Sequence, residues 1–237
     1  MESDAEMVQV NFGKPIALFP LGQAVLLPQG VTKLFIFEER YRQMVAEALD
    51  AAGLIAMAVI EDPEMPESLD RPPLRPVVCV GRIIDHQKNP DGTYHIALAG
   101  ICRAEIVEED ESDFERLYRQ ARLSPLNSDE PPSEDDLATV REMLEKMIES
   151  ERFPEFTALK EQMVDWSSIP TSALLDVACA AVCSAVADPD FAYAMLAEAS
   201  IFERAAAIEH EVDSIERLHR VARRQYDADA PKGITWN

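Results

Sequence analysis

The sequence predicts an α+β protein, with a small β-barrel over residues 12–123 followed by an α-helical bundle over residues 133–228 that ends in a long helix. In the first part, short apolar runs alternate with Pro and Gly, which is typical of a β-structure with tight turns. In the second part, apolar residues recur at helical spacing. The segment 123–132 between them is rich in Pro, Asn and Ser, and we interpret it as a linker.

Short apolar segments carry the strand pattern of the first part. Apolar runs end at Pro20 and Pro28, and further runs cover residues 33–37, 54–60, 77–84, 94–99 and 101–107. Asn89-Pro90-Asp91-Gly92 is a strong turn signal between two of these runs. Helical spacing over residues 38–50 predicts one helix within the barrel part. Gly30 and Gly100 are expected to permit a positive φ or a close backbone approach.

The second part contains several helix signals. Ser133 with Asp136, and Ser200 with Glu203, have the spacing of capping boxes at helix starts. Residues 170–187 are apolar on nearly all sides, which predicts the central helix of the bundle. The last helix has a seam at alternating spacings of four and three: Ile201, Ala205, Ile208, Val212, Ile215, His219 and Ala222. This seam either packs within the bundle or offers a surface to another helix.

The charge balance limits the classes of partner. The chain has 44 acidic and 22 basic residues, a net charge of −22. Nucleic acids and anionic membranes are bound by clustered Lys and Arg, so the excess of acidic residues argues against both. The N-terminal residues do not resemble a signal peptide, and the longest apolar stretch, 177–187, is too short to span a bilayer. We therefore expect a cytoplasmic protein.

No motif for catalysis or cofactor binding is present. The sequence contains no phosphate-binding loop, no dinucleotide-binding glycine motif and no His-Glu-x-x-His zinc motif. The four cysteines have no zinc-ligand spacing with one another or with the histidines, which favours buried free thiols. We expect no catalytic residue, no metal ion and no cofactor.

One block of sequence stands apart from the rest. It contains Phe19-Pro20-Leu21, then Leu27-Pro28 with Gly30, then Ile36-Phe37-Glu38 followed by Arg40, Tyr41 and Met44. This block resembles the LON domain, which opens full-length Lon proteases and also occurs alone. Val80-Gly81, Asp91-Gly92, and Gly100 followed by Arg103 extend the resemblance over about residues 15–110. The chain departs from the pattern at Leu27, where Phe is commoner, at the inserted Gln29, and at Glu39, where Pro is frequent.

The resemblance implies a PUA-like β-barrel joined to a helical bundle, and a non-catalytic module that recognises unfolded or tagged polypeptide. We expect binding in an apolar groove near the junction of barrel and bundle. A separate protease or a helical partner could contact the C-terminal helix. The alternatives are a PUA-like nucleic-acid-binding protein, which the charge disfavours, and an enzyme with a spatially assembled site.

The motif residues are the candidates for binding: Pro20, Leu21, Phe37, Arg40, Tyr41 and Arg103. Core packing and local ion pairs are the alternative roles of these same residues. We predict that Phe35, Phe37 and Tyr41 are largely buried and that Arg40 forms an ion pair. We predict that Arg103 pairs with a buried acid such as Glu38.

Overall fold

The computed structural model describes residues 9–62, 71–110, 116–128, 131–150, 153–162 and 166–225. These residues form six strands and six α-helices, which confirms the α+β class. The strands are β1 (Ile16–Leu21), β2 (Val31–Ile36), β3 (Leu54–Val59), β4 (Val77–Lys88), β5 (Tyr94–Glu109) and β6 (Arg119–Pro125). The helices are α1 (Glu39–Leu49), α2 (Glu134–Glu149), α3 (Pro154–Gln162), α4 (Thr171–Val186), α5 (Pro189–Ala197) and α6 (Ile201–Gln225).

One sheet contains all the described strands, in the order β2-β5-β4-β3-β1-β6. β1 and β3 are parallel, and the other pairs are antiparallel. β6 pairs with β1 and also with the end of β5. Each of the strands β1, β3, β4, β5 and β6 therefore has at least two paired neighbours. Of the described strands, β2 pairs with β5 alone. The PUA-like character of the sheet and the subdomain limits of 12–123 and 133–228 stay predictions.

Two assignments made from the sequence are wrong, the start of the linker and one strand. β6 extends to Pro125, so the first residues of the predicted linker belong to the sheet. The run 24–27 is an irregular connection and not a strand, although Leu26 and Leu27 are buried in it. β1 also continues through Pro20, which lies beyond the last residue of β1 that β6 pairs with. The missing amide hydrogen of Pro20 therefore removes no bond to β6.

A close backbone contact ties this irregular connection to β5. The Gln29 amide donates to the Gly100 carbonyl at 3.0 Å, and the Gly100 amide donates to the Gly30 carbonyl at 2.8 Å. A Cβ atom at Gly100 would lie 2.1 Å from the carbonyl oxygen of Leu27, so a larger residue does not fit. This confirms the close approach predicted at Gly100. The positive φ of the turn, 63°, is found at Gln29.

Both faces of the sheet are buried over much of its area. Alternate residues of β1 contribute to two apolar clusters, Ile16 and Leu18 to the smaller, Ala17 and Phe19 to the larger. The smaller cluster is formed mainly by β1, β3, β4, β5 and β6. The larger cluster extends from the sheet into α1 and into all five later helices. A continuous apolar core therefore joins the sheet to the helical part.

The helix starts follow the capping signals in most respects. Ser133 Oγ accepts from the Asp136 amide at 3.2 Å, and the Asp136 carboxylate accepts from the Ser133 amide at 2.9 Å, which confirms the capping box of α2. At α6 only half of the predicted box forms. Ser200 Oγ accepts from the Glu203 amide at 3.3 Å, but the Ser200 amide donates to Glu198 at 2.6 Å. The central position of α4 is confirmed by its contacts with α2, α3, α5 and α6.

The predicted seam of α6 packs within the bundle over its first part. Ala205, Ile208 and Val212 are buried, in the region where α6 contacts α4 and α2. Ile201 and Ile215 are partly buried against the same core. The side chains of His219 and Ala222, the last two positions of the seam, lie outside the described residues.

Candidate functional site

An exposed row of aromatic rings follows β2 and the neighbouring strand β5. Phe35 and Phe37 are 51% and 62% exposed, and Val31, at an alternate position of β2, is 59% exposed. The Phe35 ring lies 4.8 Å from the ring of His95, which is its cross-strand partner on β5. It lies 6.0 Å from the Phe37 ring. We call Val31, Phe35, Phe37 and His95 the aromatic face.

The burial predicted for Phe35 and Phe37 is wrong, whereas the burial of Tyr41 is confirmed at 8% exposure. Side chains alternate along a strand, so Phe35 shares its face with exposed Lys33 and not with buried Ile36. In the sequence, Lys33 could have shown that this side of β2 is exposed, because a lysine at an alternate position indicates the solvent-facing side of a strand. Large apolar side chains that stay together on such a side are typical of binding surfaces.

The surroundings of the aromatic face leave it open. Ala97 and Ala99 are the cross-strand neighbours of Lys33 and Val31, and their small side chains do not cover the rings. β2 pairs on one side only among the described strands, so its outer peptide groups are not engaged by another of these strands. A strand edge beside exposed apolar side chains can accept an extended polypeptide through both main-chain hydrogen bonds and side-chain contacts.

Arg40 and Tyr41 stabilise the turn from β2 into α1. Arg40 Nε donates to the Glu38 carboxylate at 2.9 Å, which confirms the predicted ion pair. The guanidinium lies 4.6 Å from the centroid of the Tyr41 ring, and that ring meets Phe19 edge-on at 4.6 Å. Burial raises the pKa of Tyr41, and the nearby Arg40 opposes this shift. These contacts hold the chain directly after Phe37.

Pro20 and Leu21 lie in the sheet, away from the aromatic face. Pro20 is buried in β1 beside Ala58 of β3. Leu21 is partly buried against the large core, and its carbonyl accepts from the Ile60 amide at 3.0 Å. β1 does not pair with β2, and Pro20 is buried and Leu21 partly buried, whereas Phe37 is exposed.

Arg103 takes part in a buried ionic cluster between the sheet and the helices. Its Nη1 donates to the Asp176 carboxylate of α4 at 2.8 Å, and the two side chains are 7% and 13% exposed. Arg204 of α6 approaches the same carboxylate at 3.7 Å. Arg103 Nη2 also donates to the Met195 carbonyl of α5 at 3.3 Å. The predicted pairing of Arg103 with a buried acid is confirmed, but the acid is Asp176 of α4 and not Glu38.

This buried cluster lies where the sheet and the helices meet. The apolar groove expected near this junction stays a prediction, and the exposed side chains of Val31, Phe35 and Phe37 lie at β2. Burial, and next to it the charge of Arg103, lowers the pKa of Arg204. Burial raises the pKa of Cys179 and Cys183 to about 12, so these thiols stay protonated near neutral pH and are poor nucleophiles.

Two further kinds of site are absent from the part of the chain that the structure describes. There, no group of three or more His, Cys, Asp or Glu side chains is arranged to hold a metal ion. Nor does any helix of these residues combine the length and the apolar character needed to cross a membrane.

Comparison with known proteins relates this fold to one family. The family described as the ATP-dependent protease La (LON) substrate-binding domain matches residues 15–214. The N-terminal domain of Mycobacterium avium complex Lon protease is similar with a TM-score of 0.58 and 14% identity, over 84% of this chain and 98% of that chain. A Lon N-terminal domain protein from Xanthomonas campestris is similar with a TM-score of 0.51 and 18% identity, over 83% and 98%. No curated protein matches the sequence.

At these identities the two structures show the fold alone. The family match is independent of them and spans most of the chain, including the Phe-Pro-Leu block and the helices as far as α6. The chain therefore belongs to the Lon substrate-binding domain family.

Proposed function

We propose that this chain recognises polypeptide segments without acting on them chemically, and that the aromatic face is the contact surface. The observation that carries the proposal is the exposed pair Phe35 and Phe37 on an edge strand, in a member of a substrate-binding family. An unfolded chain presents apolar side chains along extended backbone, which such a face can cover. Phe37 contacts the client, and Arg40 and Tyr41 stabilise the turn that follows it. The other candidates, Pro20, Leu21 and Arg103, support the sheet and its junction with the helices.

The clients that fit this face are unfolded or tagged polypeptides that bind mainly by apolar contact. A net charge of −22 attracts basic segments at long range, but salt screens that attraction. Burial of a Phe ring does not depend on ionic strength in this way. Exposed rings can also stack on bases, yet the acidic surface opposes a phosphate backbone.

A labelled, permanently unfolded polypeptide titrated at low and high salt tests this proposal. Binding should persist at high salt, and Phe35→Ala/Phe37→Ala should weaken it about tenfold or more, since each ring is an aromatic anchor. The matched control is Val107→Ala/Leu117→Ala. These residues are 61% and 52% exposed elsewhere, and their loss should leave the affinity unchanged.

Four results would contradict the proposal. Equal affinity of the Phe35→Ala/Phe37→Ala variant and the wild type would exclude the aromatic face as the contact surface. Binding that disappears at high salt would indicate attraction to basic clients only, and salt-sensitive binding of a single-stranded oligonucleotide would favour the nucleic-acid alternative. ATP hydrolysis or casein cleavage by the purified chain would contradict its non-catalytic part.

A further inference from the structure

Helix α6 exposes large apolar side chains near both of its ends. Phe202 is 42% exposed, and Leu218 and Val221 are 67% and 55% exposed. Val212 is the last fully buried residue of α6 among its described side chains, so Leu218 and Val221 continue past the packed part of the helix. Phe202 and Val221 are separated by about 28 Å at a rise of 1.5 Å per residue, so they cannot cover each other within one molecule.

The two halves of α6 carry opposite charge. Glu203, Glu209 and Asp213 are exposed on the first half. From residue 217 to residue 225 the sequence has four arginines, at positions 217, 220, 223 and 224, and no acid. Arg220 pairs with Glu216 at 2.7 Å, but its side chain is 61% exposed, and such a surface pair contributes little.

We propose that α6 pairs with α6 of a second copy of this chain, antiparallel and around a two-fold axis. Placing Phe202 opposite Val221 of the second copy also sets Glu203 opposite Arg220, because each step forward on one helix is a step back on the other. The same register sets His210 opposite Asp213. The charges of α6 are therefore complementary to those of its own copy, and Phe202 meets Val221. Leu218 would lie opposite the buried Ala205 and takes no part in the pairing.

The residues that would meet lie on one open side of the helix. Positions 203, 206, 210, 213, 217 and 220 recur at spacings of three and four, and all are exposed. They alternate with the buried positions Ala205, Ile208 and Val212, which face the bundle. A second helix can therefore approach this side without displacing any packed core residue.

A second copy fits this surface better than other occupants. A two-fold interface makes every contact twice, so one acidic half and one basic half supply two complementary contacts. Nucleic acid or an anionic membrane would meet the exposed Arg217 and Arg220, but the net charge of −22 would repel it. Repulsion between the two acidic molecules is screened beyond about 10 Å at 0.1 M salt. The attraction between the paired helices is screened less, because their charges are in contact. This pairing is independent of polypeptide binding by the aromatic face.

The test is the mass of the full chain in solution, measured by sedimentation over a series of protein concentrations. The wild type should dimerise. Arg217→Glu/Arg220→Glu, which reverses the basic half, and Glu203→Arg/Glu209→Arg, which reverses the acidic half, should each raise the dimer dissociation constant about tenfold or more. An equimolar mixture of the two variants should dimerise again, because each reversed half then meets an opposite charge at both contacts.

Arg122→Glu/Lys146→Glu is the matched control for Arg217→Glu/Arg220→Glu, because it makes the same change in net charge at side chains that are 58% and 73% exposed outside α6. It should dimerise like the wild type. A wild type that stays monomeric throughout the series would overturn the proposal, as would dimers that persist in either reversed variant. So would a mixture that stays monomeric while thermal unfolding shows both variants folded.

Discussion

Replacing Asp176 with Ala should destabilise the protein strongly. Its carboxylate lies 2.8 Å from Arg103 and 3.7 Å from Arg204, whose side chains are only 7% and 6% exposed. Without it, two guanidinium groups stay buried beside each other with their shared counter-charge removed. Breaking a buried ionic group by removing one partner typically costs 3–5 kcal/mol, and we expect the free energy of unfolding to fall by about that amount.

Urea unfolding followed by circular dichroism measures this change, with Asp190→Ala as the control. Asp190 pairs with Arg75 at 2.7 Å, a distance like that of the Asp176 pair, but its side chain is 80% exposed. Its removal should cost about 0–1 kcal/mol, since solvent screens exposed pairs. If Asp176→Ala lowered the free energy of unfolding by less than about 1 kcal/mol, burial would not be what makes this ionic cluster important for stability.

A triple variant separates the charge from the packing of this cluster. Arg103→Met/Asp176→Leu/Arg204→Met removes all three charges while keeping apolar volume. Because ions are costly to bury, this variant should be more stable than Asp176→Ala by roughly 1–4 kcal/mol. A triple variant as unstable as Asp176→Ala would mean that lost packing, and not the uncompensated charge, causes the defect.

Three further changes test local features. Gly100→Ala should cost more than about 3 kcal/mol in unfolding free energy or prevent folding, because its Cβ would lie 2.1 Å from the Leu27 carbonyl oxygen. Ser133→Ala removes the N-cap of α2 and should lower the unfolding free energy by about 1 kcal/mol. Burial, with a 2.6 Å hydrogen bond to Glu47, raises the pKa of Tyr118 from 10.0 to about 12. The neutral phenol is thus favoured by folding, so its contribution is complete below pH 10 and lost as the pH rises to about 12. The stability difference between the wild type and Tyr118→Phe should shrink over that range, and a constant difference would contradict this assignment.

The features that the sequence predicted well depend on residues close together in the chain. The capping box of Ser133 and Asp136 and the helical spacing over residues 38–50 are both confirmed, and each involves neighbours within one or two helical turns. β6 was missed because only Ala121 and Leu123 of its residues are buried, which is too short an alternation to recognise.

The ionic cluster could not be predicted because its members are far apart in the chain. Arg103 and Asp176 are 73 residues apart, and only the packing of α4 against β5 brings them together. Glu38 was the expected partner because it belongs to the same sequence motif. It pairs instead with Arg40, two residues away, since that contact requires no tertiary structure.

The error at Phe35 and Phe37 has a different cause. Phe35, Phe37 and Tyr41 were expected to share one buried face, because they occupy alternate strand positions and the first helical turn. A strand at the edge of a sheet is often buried on one side only, and Phe35 and Phe37 lie on the open side. The exposed positions of β2, including Lys33 and Phe35, alternate with Ile36, which is 2% exposed. Lys33 lies on the same face of β2 as Phe35, and its charge indicated that this face is open to solvent.

In the proposed function, the outward side chains of β2 and β5 contact polypeptide, whereas their inward side chains stabilise the fold. Ile36 and Leu98 face the core, whereas Phe35 and His95 face solvent. Phe37→Ala would cost about 3–5 kcal/mol if the ring were core, but at 62% exposure the change should stay within about 0.5 kcal/mol. Phe35→Ala/Phe37→Ala should thus lose affinity without a shift of the unfolding midpoint. Asp176→Ala should shift the midpoint and, at temperatures where it is folded, keep its affinity. If both variants lost affinity and stability together, polypeptide binding would depend on the junction between sheet and helices and not on the aromatic face.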